Sequence, residues 1–146
     1  MSGSLSFQGE VMKDLWEPDE KRDFVKKTLR EYLHRNRYRA KKRKPERYFE
    51  SYAFLYEAME SLAIRDVIKQ IDEWHNQDPV DIVAGRYSWA DDKLATCRET
   101  AINTMSMLSA YENALSDIVL YLREEVKEEE MRRWVCKSWQ RAPGHH

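Results

Sequence analysis

WADDKLATCRETAINTMSMLSAYENALSDIVLYLREEVK, residues 89–127, is the stretch whose reading decides the fold class. Leu94, Cys97, Ala101, Thr104, Leu108, Tyr111, Leu115, Ile118 and Leu122 recur in it at alternating steps of three and four. That spacing puts them on one side of a helix, as a heptad-like seam. Ile102, Met105, Val119 and Val126 widen the seam into the broader apolar face of a helix in a bundle. Ser88 with Asp91 forms a capping-box-like pair, so the spacing predicts one long helix over about 89–127.

The segments around it read the same way. Asp78 can cap a helix with Pro79 in its first position, and Gly85 is the expected end of that short helix. Upstream, Phe49, Tyr52, Tyr56, Met59, Ala63 and Val67 form a helical stripe, which Leu55, Leu62, Ile68, Ile71 and Trp74 widen. This helix is expected from Pro45 to about Asn76. Asp19 is the expected cap of a first helix over about 19–43, with Phe24, Val25, Leu29, Tyr32 and Leu33 as its apolar positions and Pro45 as its stop. Residues 1–17 read as a tail whose Leu15 and Trp16 pack on the body. At the other end, Met131, Trp134, Val135 and Trp139 make a helical C-terminal extension, with Arg132, Arg133, Lys137 and Arg141 on its other side. No strand-like alternation and no internal repeat is present. The fold class expected is all-α: a single helical-bundle domain over 18–146, with three long helices, a short fourth and the C-terminal extension.

Composition agrees. The chain has 146 residues, 35% charged and 42% hydrophobic, with only four glycines and four prolines. That is one domain's length, and so little Gly and Pro disfavours a β-sandwich or a linker-like chain. No apolar run reaches the roughly 18 residues a membrane span needs, and the first residues lack a signal-peptide pattern. The expectation is a cytoplasmic protein with no membrane partner, and with Cys97 and Cys136 as free thiols.

The net charge of −1 hides a strong polarity. Residues 26–47 hold eleven Lys or Arg against two acids, so the remainder of the chain sums to −10. Within that run, Arg35, Arg37, Arg39, Lys41, Lys42, Arg43, Lys44 and Arg47 interleave with Tyr32, Tyr38 and Tyr48. Arginine pairs with phosphate and tyrosine can stack on bases, so the run suits a nucleic acid or a nucleoprotein. It equally suits an acidic protein surface, or this chain's own acidic stretch at 124–130. The candidate binding residues are Arg35, Arg37, Tyr38, Arg39, Lys41, Lys42, Arg43, Lys44 and Arg47. Trp16, Trp134 and Trp139, near the ends, are candidate aromatic anchors.

No catalytic constellation competes with this one. Glycine-rich phosphate loops and nucleophile elbows are absent, and there is no clear helix-turn-helix for base reading. Glu57 with Glu60, and Asp78 with Asp81, have the i, i+3 acid spacing of all-helical pyrophosphatases, but with 26 acids in 146 residues such pairs arise by chance. His34 and His75 lack a partner at metal-ligand spacing, and Cys97 falls on the apolar seam. The expectation is a non-enzymatic interaction protein with no cofactor and no metal. Its partner would be a protein or nucleoprotein complex, with direct DNA or RNA binding as the alternative and a pyrophosphatase as the second. The seam also allows self-association as a homodimer.

Two segments, Arg22-Asp23-Phe24-Val25-Lys26-Lys27-Thr28-Leu29-Arg30-Glu31-Tyr32-Leu33 and Asp117-Ile118-Val119-Leu120-Tyr121-Leu122, resemble the small all-helical accessory proteins of Gram-positive prophages and mobile elements. The resemblance covers about an eighth of the chain and carries no catalytic motif. It implies regulators, packaging factors and inhibitors of host defence, anti-CRISPR proteins among them, which act by occupying a binding surface.

Overall fold

A computed structural model describes residues 15–42, 50–97 and 102–141. Every regular element among them is a helix: α1 (Glu20–Lys42), α2 (Glu50–Glu73), α3 (Pro79–Thr96) and α4 (Ile102–Arg141). None is long and apolar enough to cross a membrane.

Side-chain contacts fix the helix directions. Lys26 of α1 pairs with Asp72 near the end of α2 at 2.7 Å, so these two helices are antiparallel. Lys21 pairs with Asp78 at the start of α3 at 2.5 Å. Arg133 of α4 pairs with Glu20 at 2.7 Å, and the Tyr121 ring lies tilted against that of Tyr32, so α4 runs antiparallel to α1. The order is therefore up, down, up, down. The core lies between the helices, with Val25 and Leu29 from α1, Ile64, Val67 and Ile71 from α2, and Ile82 and Val83 from α3. From α4 it takes Leu115, Ile118, Leu122 and Val126. These α4 positions belong to the stripe expected from the sequence, and burying such side chains supplies the main driving force for the fold.

The seam is not buried along its whole length. Leu94, Cys97 and Leu108 are half-buried and Thr104 is exposed, and the helix is interrupted between Thr96 and Ile102. The expected helix of 89–127 is thus two pieces. Gly85 does not end a short helix, and Ser88 and Asp91 lie inside α3 rather than opening a helix. Cys97 is the C-cap in extended conformation, with its N–H donating to Leu94 O at 3.3 Å. Thr96 Oγ1 turns back to donate to Asp92 O at 2.9 Å. Neither Gly nor Pro marks this break. Tertiary packing explains it, because Ile82, Val83 and Ala90 can reach the core made by Leu115 and Ile118 only if the chain reverses between them. The C-terminal extension is in turn continuous with α4, which has 40 residues.

The caps follow the sequence in part. Asp78 caps α3, accepting from Val80 N at 2.9 Å and Asp81 N at 3.3 Å, with Pro79 in the first turn. At α1, Asp19 has φ 72°, a left-handed conformation that Asp tolerates better than most residues. Its side chain pairs with Arg22, while Glu20 Oε1 accepts from Glu17 N at 2.8 Å. That bond, followed by the Arg133 contact, holds the Glu20 carboxyl below its ordinary range. Beyond the end of α2, the capping cation is Arg22, which donates to His75 O and approaches its Nδ1. The expected start of α2 at Pro45 lies outside the described residues.

Leu15 and Trp16 pack on the body, as the sequence suggested. Leu15 is buried, and Arg133 donates to its carbonyl at 3.1 Å. Trp16 donates to Glu130 at 3.2 Å and lies under the Arg133 guanidinium, 4.1 Å from its ring centroid. Trp134 and Trp139, in contrast, are exposed.

Gly85 offers a direct test of this architecture. It is an exposed residue in mid-helix, and a Cβ there meets nothing within 4 Å. Gly85→Ala should therefore stabilise the protein by about 0.5–1 kcal/mol, read as a higher urea midpoint with unchanged slope. A helix ending at Gly85 would make the same change neutral or harmful.

Candidate interaction surface

The basic run occupies the last turns of α1. Arg37, Tyr38, Arg39, Lys41 and Lys42 lie on the helix, but their side chains are outside the described part, as are Arg43, Lys44 and Arg47 altogether. Arg35 is exposed and its Nη1 donates to the Tyr121 hydroxyl at 3.0 Å. That partner is neutral, so the contact orients the guanidinium and leaves its charge in place.

Along α1 the cations divide into two groups. Lys21, Arg22 and Lys26 each meet an acid: Asp78, Asp19 and Asp72. After Lys26 the described cations of α1 have no such partner. Among the described residues, Lys27 and Arg30 of α1 and Arg65 and Lys69 of α2 take part in no ion pair. Glu129 and Glu130 lie beside Arg133 and Trp16, at the opposite end of α1 from the basic run.

Between α1 and α2 runs an open groove of about 570 Å³. Leu33, Met59, Leu62 and Ile68 line it, and Arg30 and Arg65 stand at its edge. It is therefore an apolar floor with a cationic rim.

The tyrosines divide as well. Tyr32 was a stacking candidate, but it is half-buried against the core with its ring 4.9 Å from Tyr121. It is committed to the fold rather than to a base. Tyr56 donates to Asp117 Oδ2 at 2.6 Å, and burial followed by this bond pushes its hydroxyl far above the ordinary value. Burial also raises Tyr121. Tyr48 is outside the described residues. Phe54 and Tyr52, near the start of α2, are exposed aromatics at this end of the bundle. Phe54 was not singled out as a candidate, although its position off the α2 stripe was the available signal.

The acid pairs do not assemble a metal centre. Glu57 and Glu60 sit on the first half of α2, whereas Asp78 and Asp81 follow its far end, about 20 Å away along the axis. Glu60 is buried, and Asp78 is engaged as a cap and with Lys21. Among the described residues, no three His, Cys, Asp or Glu side chains could together hold a metal ion. Cys97 is half-buried at a helix end rather than in the core, and Cys136 is exposed; neither forms a disulfide.

A second polar cluster lies between α2, α3 and α4. Arg86 Nε donates to the Tyr111 hydroxyl at 2.8 Å, and that hydroxyl donates to Asp66 Oδ2 at 2.8 Å. Arg86 closes the set with an Asp66 contact of 3.4 Å and lies over Trp89, 3.8 Å from its centroid. Each group is satisfied by the others, which suits a structural role. No known protein family, characterised protein or solved structure matches the chain.

The Tyr111 hydroxyl is pushed up to about 12, chiefly by burial. Its folded form keeps the proton when an unfolded tyrosine, ordinarily near 10, has lost it. The stability this contributes is complete below pH ~10 and is lost as the pH rises toward 12. Tyr111→Phe should lower stability by about 1–2 kcal/mol at neutral pH. It should also flatten the decline between pH 10 and 12 in urea titrations; an unchanged decline would assign that slope to another group.

Proposed function

We propose that this chain is a non-enzymatic binding protein that engages a protein or nucleoprotein complex through the basic end of α1. One observation carries the reading: Lys27, Arg30 and Arg35, the cations of α1 after Lys26 whose side chains are described, take part in no ion pair among the described residues, while Lys21, Arg22 and Lys26 are all paired. Charge of one sign collected toward one end produces a field that steers a partner of opposite sign. The contact surface is Arg35, Arg37, Tyr38, Arg39, Lys41, Lys42, Arg43, Lys44 and Arg47, with the groove edged by Arg30 and Arg65 beside it. Its apolar floor and cationic rim favour a partner with acidic groups around an apolar ridge. The resemblance to prophage accessory proteins supports a role in occupying, and so inhibiting, a nucleoprotein machine in the cytoplasm. Direct binding of DNA or RNA is the second reading, favoured by the density of arginine in the same run.

The test is a fluorescence titration with short labelled duplex DNA and RNA at two salt concentrations. Wild-type protein is run against a variant with Arg39, Lys41, Arg43 and Lys44 changed to Glu. Binding through phosphates should weaken with salt, with a log–log slope of about −0.9 per phosphate neutralised on duplex DNA, and should vanish in the variant. Binding that survives the four reversals would place the contact elsewhere. If neither nucleic acid binds at low salt, direct nucleic-acid recognition is excluded and an acidic protein surface remains as the partner.

A further inference from the structure

We infer that the groove between α1 and α2 is the seat of a helix from a partner protein, about four turns long, apolar along one stripe and acidic on both flanks of that stripe. This rests on α1 being the contact helix, as proposed above. The two helices are antiparallel, and the Lys26–Asp72 pair closes one end of the groove. Arg30 and Leu33 line it from α1, and Ala58, Leu62, Arg65 and Ile68 from α2. From the level of Asp72 to that of Ala58 is roughly 20 Å along α2, the length of about 14 helical residues. Phe54, one turn before Ala58 and 78% exposed, stands at the other, open end.

Charge identifies the occupant. Arg30 stands on the α1 lip and Arg65 on the α2 lip. Lys27 precedes Arg30 by three residues and Lys69 follows Arg65 by four, so each extends its lip by a turn toward the closed end. All four are exposed, and among the described residues none of them makes a hydrogen bond or an ion pair. The acids around them are placed otherwise. Asp72 is taken by Lys26, and the charge of Glu31 acts on Tyr121 of α4. Asp23 and Glu73 stand one turn beyond Lys27 and Lys69 without pairing with them, and Glu57 lies at the open end, a turn before Ser61.

A partner has to satisfy the floor and both lips at once. The phosphates of a nucleic acid would meet the cations, but nothing on a duplex would cover Leu33, Leu62 and Ile68. An acyl chain would cover the floor, but its single headgroup would answer one lip only. A helix laid lengthwise, at the roughly 8–10 Å axial spacing of packed helices, sets an apolar stripe on the floor and a row of Glu or Asp against each lip. Because Lys27 and Lys69 lie toward the closed end, the acids of that helix are expected to be densest there.

The test is fluorescence anisotropy with three labelled synthetic helices of about 14 residues. One carries leucine at steps of three and four, with glutamate on either side. The second has lysine in place of glutamate, and the third has alanine in place of leucine. The full chain should bind the first and neither of the others. The double variant Arg30→Glu with Arg65→Glu changes two exposed residues outside the core, so it should keep its helical circular dichroism. It should bind the first peptide about tenfold more weakly or worse. The reversal of Arg39, Lys41, Arg43 and Lys44 to Glu should retain most of that binding. A wild-type chain that binds the first peptide no better than the other two overturns the inference, and so does binding that survives the double reversal. Binding lost only when the basic run is reversed would overturn it as well, while leaving that run as the contact surface.

Discussion

One stripe on α4 has to serve three other helices. Tyr111, Leu115, Ile118, Leu122 and Val126 are the wall against which α1, α2 and α3 each bury their own apolar positions. The ion pairs follow from that packing. Lys21, Lys26 and Arg133 find their carboxylates because the core has already brought the helix ends together. As partly exposed pairs they add little stability individually. Their role is to fix which helix end meets which.

Much of this was legible in the residues. The stripe of α4 from Tyr111 to Leu122, the apolar positions of α1 and α2, and the Asp78–Pro79 start of α3 all follow from periodicity and cap chemistry. The division between α3 and α4 was not legible. Residues 94–104 continue the three-four spacing without Gly or Pro, so local rules extend a helix across them. What ends α3 at Thr96 is the need for Ile82 and Val83 to face the same core as Leu115, a contact between residues some thirty positions apart. Gly85 misled for the converse reason. Glycine weakens a helix without forbidding it, and the burial of Ile82, Val83 and Ala90 on either side of it outweighs that cost.

The candidate surface was legible as charge and not as geometry. Counting residues reveals the surplus of Lys and Arg in 26–47, but not that its first member, Lys26, is neutralised in place by Asp72 of another helix. The interleaved tyrosines show the same limit. Tyr32 shares the run with the arginines in sequence, yet it faces Tyr121 because its helical phase matches that of Val25 and Leu29. Only the fold separates a tyrosine that stabilises the bundle from one that a partner could reach.

The clasp of Leu15 and Trp16 on α4 bears on how the chain reaches this structure. Arg133 and the Leu15 carbonyl are 118 residues apart, and Trp16 and Glu130 are 114 apart. Most other pairings join neighbouring helices and close much shorter loops. Loop-closure entropy grows only logarithmically with length, so the clasp is affordable once the bundle exists. As an opening event it is disfavoured, because it requires nearly the whole chain to be ordered for a single cation, one ring and one carbonyl. The hairpin of α2 and α3 and the docking of α4 hold the local contacts that nucleate quickly. The clasp belongs to the end of folding, and by the same logic it is the first long-range contact released when the bundle begins to open.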